Sequence, residues 1–145
     1  MKTILTILIC SISYISVYSQ QPPPPPLEEE IYQVVDEMPR FPGCEEESEK
    51  KRNNCASKKM LEFLYTNIKY PAEARRDTVE GTVVVQYVVE KDGSISEAKI
   101  VKSVSGGCDE EVLRVVSLMP IWVPGKQRGA AVRVRYTLPV KFRLN

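Results

Sequence analysis

Apolar and polar residues alternate along the last stretch of the chain. Val132, Val134, Tyr136, Leu138, Val140, Phe142 and Leu144 are apolar, and Arg133, Arg135, Thr137, Lys141 and Arg143 between them are polar. Successive side chains on a strand point to opposite faces. Ala131 to Leu144 is therefore predicted as one long strand with a buried face and a wet, cationic one. Burying a side chain of this kind contributes about 1.5–3 kcal/mol gross, which makes the strand central to the core. Pro139 lies inside the run, and a proline in a strand belongs at an edge or a bulge. Part of the strand is thus expected to face no neighbour, and an unpaired edge accepts another chain by strand addition.

The same periodicities place the other elements. Gly81 to Glu90 is nearly continuous in β-branched residues, and Ser94 to Val104 reads as a second strand. Asp92-Gly93 between them predicts an antiparallel hairpin. Met60, Leu61, Leu64, Tyr65 and Ile68 form one helical stripe over Ser57 to Lys69, with Ser57 as the expected N-cap. Tyr70-Pro71 ends that helix, and Pro71 to Arg76 restarts as a short one. Asp109 is expected to cap a helix over Glu110 to Met119, with Val112, Leu113, Val115, Val116 and Met119 facing inward. Ile31, Val34 and Val35 predict a short strand, and the charged residues 44 to 54 a solvated loop. Together these give an α+β fold, a small two-layer sandwich with a three-stranded antiparallel sheet and helices on one face.

Composition narrows the function. The chain has 145 residues, a formal net charge of +1 and no histidine. The usual general base, the Ser/His and Cys/His nucleophile pairs and the commonest metal ligand are all missing. Neither an enzyme nor a cofactor or metal site is expected. Lys2 followed by the apolar run Ile4 to Ile9 reads as an export signal cut before Gln20. Residues 1–19 are then a signal peptide, 20–54 a proline-rich and charged linker with a cysteine-bounded loop, and 55–145 the folded domain. An uncleaved signal would instead anchor the chain in the inner membrane. The consecutive prolines Pro22 to Pro26 form a stiff spacer of about 16 Å.

Export places the cysteines in an oxidising compartment. Cys44 and Cys55 flank a hydrophilic stretch with no core of its own, and a bridge between them would restrain the unfolded chain by about 2–3 kcal/mol. Pairing of one of them with Cys108 stays open as the alternative. Unpaired, Cys108 reads as a small buried apolar residue packed back onto Leu113.

Several motifs occur in order: Tyr70-Pro71-x-x-Ala74, Gly81-x-Val83-x-Val85-x-Tyr87-x-Val89, Asp92-Gly93, Asp109-x-x-Val112-x-x-Val115, Trp122-x-Pro124-Gly125-Lys126 and Tyr136-x-Leu138-Pro139-Val140-x-Phe142. Together they resemble the TonB C-terminal domain, over about Tyr70 to Leu144. The resemblance implies a non-enzymatic periplasmic protein of TonB-dependent transport. Such proteins carry energy from an inner-membrane proton-channel complex to outer-membrane receptors, and the C-terminal domain adds a receptor's N-terminal box as a strand beside its own last strand. The implied partner-binding residues here are Val132, Arg133, Val134, Arg135, Tyr136 and Thr137, with Tyr70 and Pro71 near the receptor. A nucleic-acid partner is not expected, because the basic strand face lacks the aromatic platform that single strands stack on. The chain departs from a working transducer in its short linker, since Gln20 to Asn54 spans at most about 110–125 Å. The alternative expectation is an envelope adaptor, or a domain that self-associates as a homodimer through the same edge, without energy coupling.

Overall fold

The computed structural model describes residues 29–145. The expected signal peptide and the proline run lie outside the described residues. In chain order the elements are β1 (Ile31–Tyr32), α1 (Glu49–Asn67), α2 (Ala72–Arg76), β2 (Gly81–Val89), β3 (Ile95–Lys102), α3 (Cys108–Ser117), β4 (Lys126–Gln127), β5 (Ala130–Ala131) and β6 (Arg133–Phe142). The main sheet has the order β1-β6-β2-β3, and β4 with β5 forms a separate small hairpin.

The Asp92-Gly93 turn joins β2 and β3 as an antiparallel pair, as the sequence predicts. Gly93 has φ +85, and a Cβ there would stand 2.0 Å from the Trp122 carbonyl oxygen, so both the turn and the close approach require glycine. β6 pairs antiparallel with the whole of β2, from Gly81 opposite Phe142 to Val89 opposite Val134, with no register shift. The alternation read from sequence is the alternation seen. Val134, Leu138, Val140 and Phe142 are buried and Tyr136 half-buried, while Thr137, Pro139 and Lys141 are exposed.

The inward faces of β2 and β6 meet Val112, Val115 and Val116 of α3 and Ala56, Met60 and Leu64 of α1. An aromatic chain ties α1 to the sheet: Phe63 meets Phe41 at 5.5 Å, Phe41 meets Trp122 at 5.7 Å, and Trp122 meets Tyr136 at 5.1 Å. Cys44 and Cys55 form the disulfide, with a Cα separation of 6.0 Å, and Cys108 is free and fully buried. Burial pushes its thiol pKa up, which disfavours the thiolate.

Several expectations are corrected. Helix α1 begins at Glu49 after Ser48, not after Ser57, so the second half of the expected loop is helical. Glu49 to Asn54 carries no apolar period and thus no helical signal, but Glu, Lys and Arg are good helix formers and the disulfide fastens this part of the helix to Cys44. Asp109 does not cap α3. Gly107, in the left-handed region, takes that position, and the Asp109 carboxylate accepts from the Val104 amide at 2.9 Å and from the Ser103 hydroxyl. The long final strand breaks at Val132, whose amide donates to the Gly125 carbonyl at 3.0 Å and bends the preceding residues into the β4–β5 hairpin. The main sheet gains a fourth, parallel strand, β1, which is shorter than the predicted Ile31–Val35 segment.

Candidate functional site

Whether β6 has a usable edge depends on which way its backbone groups point. In an antiparallel ladder, residues alternate between pairs that exchange both hydrogen bonds and pairs that exchange none. Pro139 has no N–H and lies opposite Val84 in an unshifted ladder. It must therefore belong to a non-bonded pair, which fixes the phase of the whole strand. Tyr136, Leu138, Val140 and Phe142 bond to β2. Arg135, Thr137 and Lys141 turn both N–H and C=O away from β2, and Pro139 turns away its carbonyl.

On that outer side β1 occupies the first two positions, with Ile31 opposite Arg133 and Tyr32 opposite Val134. From Arg135 to Phe142 no strand pairs with this edge among the described residues. The far end of the open stretch is walled by α1. A hollow of about 260 Å³ is lined by Leu61 and Tyr65 of α1, by Ile68 just after it, and by Pro139, Val140 and Lys141 of β6. Because it touches residues from both faces of β6, it opens at the strand's edge and not over either face. Leu61 is 48% and Tyr65 83% exposed, so two of the five apolar residues of this stripe lie outside the core formed by the described residues. A second hollow of about 240 Å³ lies nearer the start of α1, between Ala56, Ser57 and Met60 on one side and Trp122 and Tyr136 on the other.

The residues singled out from sequence fall into three groups. Arg135, Tyr136 and Thr137 lie on the open part of β6. Arg135 makes no ion pair among the described residues, and Thr137 accepts from the Gln86 amide at 3.2 Å. Arg133 and Val134 lie where β1 covers the edge, and Val132 is outside the strand. Arg133 is not a free cation. Its guanidinium grips the Glu90 carboxylate through two bonds, of 2.8 and 3.0 Å, and stands 3.7 Å from Glu97. The Arg133 bond is the main reason that the Glu90 carboxyl lies below its ordinary pKa, and it correspondingly raises that of Arg133.

Tyr70 and Pro71 are at the other end. Tyr70 packs edge-on against Phe142 at 5.6 Å and donates its hydroxyl to the Val79 carbonyl, while Pro71 occupies the N-cap of α2. Partial burial is the main cause of the raised Tyr70 pKa. From Thr137 to Phe142 the strand advances roughly 17 Å, so the two groups flank the open stretch without touching.

Sequence reasoning did not single out Leu61 and Tyr65 as a groove wall, although their stripe is wider than one packed face needs. Nor did it find Glu29 to Tyr32 on the edge, because two residues of strand leave no periodicity. Among the described residues no group of three or more metal-ligating side chains comes together, and no helix is long and apolar enough to cross a membrane.

The family model for the C-terminal part of the Gram-negative bacterial TonB protein matches residues 66–144, more than half of the chain. Similar solved structures include two NMR solution structures of the Helicobacter pylori TonB C-terminal domain. The longer is 20% identical with a TM-score of 0.48, covering 72% of this chain and 97% of that one. The shorter is 21% identical with a TM-score of 0.42, covering 59% and 90%. No curated protein matches the chain.

Proposed function

The chain belongs to the TonB C-terminal domain family, and from that premise we propose that it serves TonB-dependent transport by docking extended segments of outer-membrane receptors in the periplasm. The guest joins the main sheet as a further strand along β6. One observation carries this reading: among the described residues no strand pairs with the outer edge of β6 beyond Val134, and an apolar trough lies beside it. Main-chain bonds to Arg135, Thr137 and Lys141 supply affinity, apolar guest side chains fill the trough against Leu61 and Tyr65, and the Arg135 and Lys141 cations favour acidic guest positions. Energy transduction is the fuller form of the role and needs an inner-membrane anchor and a proton-channel partner. Mass analysis of the exported protein separates the two forms, since a chain starting at Gln20 carries no anchor and a chain retaining Met1 does.

The docking itself is tested by titrating the protein with synthetic N-terminal segments of outer-membrane receptors from the same cell. Saturable binding in the micromolar range, lost when the peptide carries proline at alternate positions, is the expected result. If every such peptide fails at millimolar concentration, the reading is wrong. A concentration-dependent dimer without peptide affinity would then transfer the edge to self-association.

A further inference from the structure

The strand-addition reading, on which this inference rests, assigns to a guest an edge that is in part already taken. Ile31 and Tyr32 run parallel to β6 against Arg133 and Val134. The Arg133 guanidinium also donates to the Glu29 carbonyl at 3.3 Å, and Lys91 holds the Glu29 carboxylate at 2.8 Å. A guest strand and this segment cannot use the same outward donors and acceptors at once.

The segment is weakly fastened. It pairs over two residues only, both half-buried, and its ion pair with Lys91 is exposed on both sides. An exposed pair of this kind adds little and is screened by salt. Segments with so few buried contacts open at low local free energy. Immediately downstream the chain is held more firmly. The Asp36 carboxylate accepts from the Arg128 amide at 2.9 Å, Glu37 pairs with Lys126 and Arg40 with Val123, and the disulfide follows at Cys44. Val34, between the two regions, is 81% exposed. Glu29 to Tyr32 can therefore leave the sheet while the wrap from Asp36 onward stays in place.

We infer that Glu29–Tyr32 is a resident strand that competes with guest segments for the Arg133–Val134 end of β6. A guest that runs the length of the edge binds after the resident leaves, and its apparent affinity is reduced by the fraction of molecules in which the edge is clear.

The test uses the full chain, its Ile31→Pro variant, and Lys91→Glu, which changes only an exposed charge and serves if the proline disturbs folding. Two peptides are titrated by NMR: a copy of residues 27–35 of this chain, and a receptor N-terminal segment. The expected result is that the self-derived peptide shifts the Arg133 and Arg135 amides of the Ile31→Pro chain, the two that face β1, at least tenfold more readily than those of the wild type. The receptor peptide should bind the Ile31→Pro chain at least fivefold more tightly, and Lys91→Glu should move in the same direction. The inference is overturned if the self-derived peptide leaves those two amides unmoved in the released chain. It is equally overturned if the receptor peptide binds both chains alike while the Ile31 and Tyr32 amides stay protected. Receptor peptides that bind neither chain, with the self-derived peptide behaving as expected, would remove the receptor reading and support the resident-strand site.

Discussion

Arg135→Pro separates the edge of β6 from its fold. Arg135 has the same ladder phase as Pro139, so its N–H points away from β2, toward the Tyr32 end of β1, and takes no part in the β2–β6 ladder. Replacing it leaves every bond to β2 intact, and Pro139 shows that the strand tolerates a proline in this phase. Stability should change little, with a shift of a few degrees in Tm. A docked guest loses one backbone hydrogen bond, a net effect of about 1–1.5 kcal/mol, or roughly five- to tenfold in Kd. Adding Thr137→Pro removes a second bond and roughly squares that factor. Arg135→Ala keeps the amide and loses only the charge, which should cost less than about threefold. Tyr136→Pro is the opposite control. It removes a bond to Tyr87 and a ring from the Trp122 cluster, and it should destabilise the protein by more than about 3 kcal/mol. Binding is read by calorimetry with a receptor segment, and stability by denaturant titration. If Arg135→Pro binds as tightly as the wild type, the guest does not use this edge. If it unfolds the protein, the phase deduced from Pro139 is wrong.

Other parts of the account are open to equally direct measurement. Reducing the Cys44–Cys55 bridge, whose cysteines lie 11 positions apart, should lower stability by about 3 kcal/mol in urea titrations while the β2–β3 pair stays folded; no change would mean that the loop is restrained by other contacts. Gly93→Ala forces a side chain onto the Trp122 carbonyl at positive φ, whereas Gly129→Ala, at φ +78, meets nothing within 4 Å. The first should destabilise by more than about 3 kcal/mol and the second by about 1 kcal/mol, and equal losses would remove the close-approach argument. Because the Glu90 pKa is lowered in the folded state, chiefly by Arg133, its contribution is present above the unfolded carboxyl value and is lost as pH falls through the folded one. The stability gap between wild type and Glu90→Gln should therefore be wider at about pH 7 than at about pH 3, and a gap that is constant with pH would contradict the pairing.

The sequence spoke clearly wherever burial imposes a period. The alternating residues of β6 and the Asp92-Gly93 turn each carry a local signal that the packing then uses. It was silent where structure comes from tertiary fastening. The Glu49–Asn54 part of α1 shows no apolar stripe, yet it is helical on the strength of its propensity and a disulfide to Cys44. A short strand was expected at Ile31–Val35, but neither its end at Tyr32 nor its parallel pairing with β6 is encoded locally. The break at Val132 depends on a contact with the Gly125 carbonyl that no local pattern encodes. As for the site, Arg135, Tyr136 and Thr137 were named through the family resemblance, and they lie on the part of β6 beyond the residues that pair with β1. The covering of Arg133 by Glu90 and of the first edge positions by β1 was not legible, because both are made by residues remote in sequence.

The central claim is that a guest strand adds to the outer edge of β6, and residue-resolved amide hydrogen exchange on the full chain tests it directly. With a saturating receptor segment, the Thr137 and Lys141 amides, which β1 does not reach, should slow together, while Tyr136, Leu138 and Val140, already bonded to β2, change little. Protection that appears along β3 instead, or equally on both phases of β6, would contradict it.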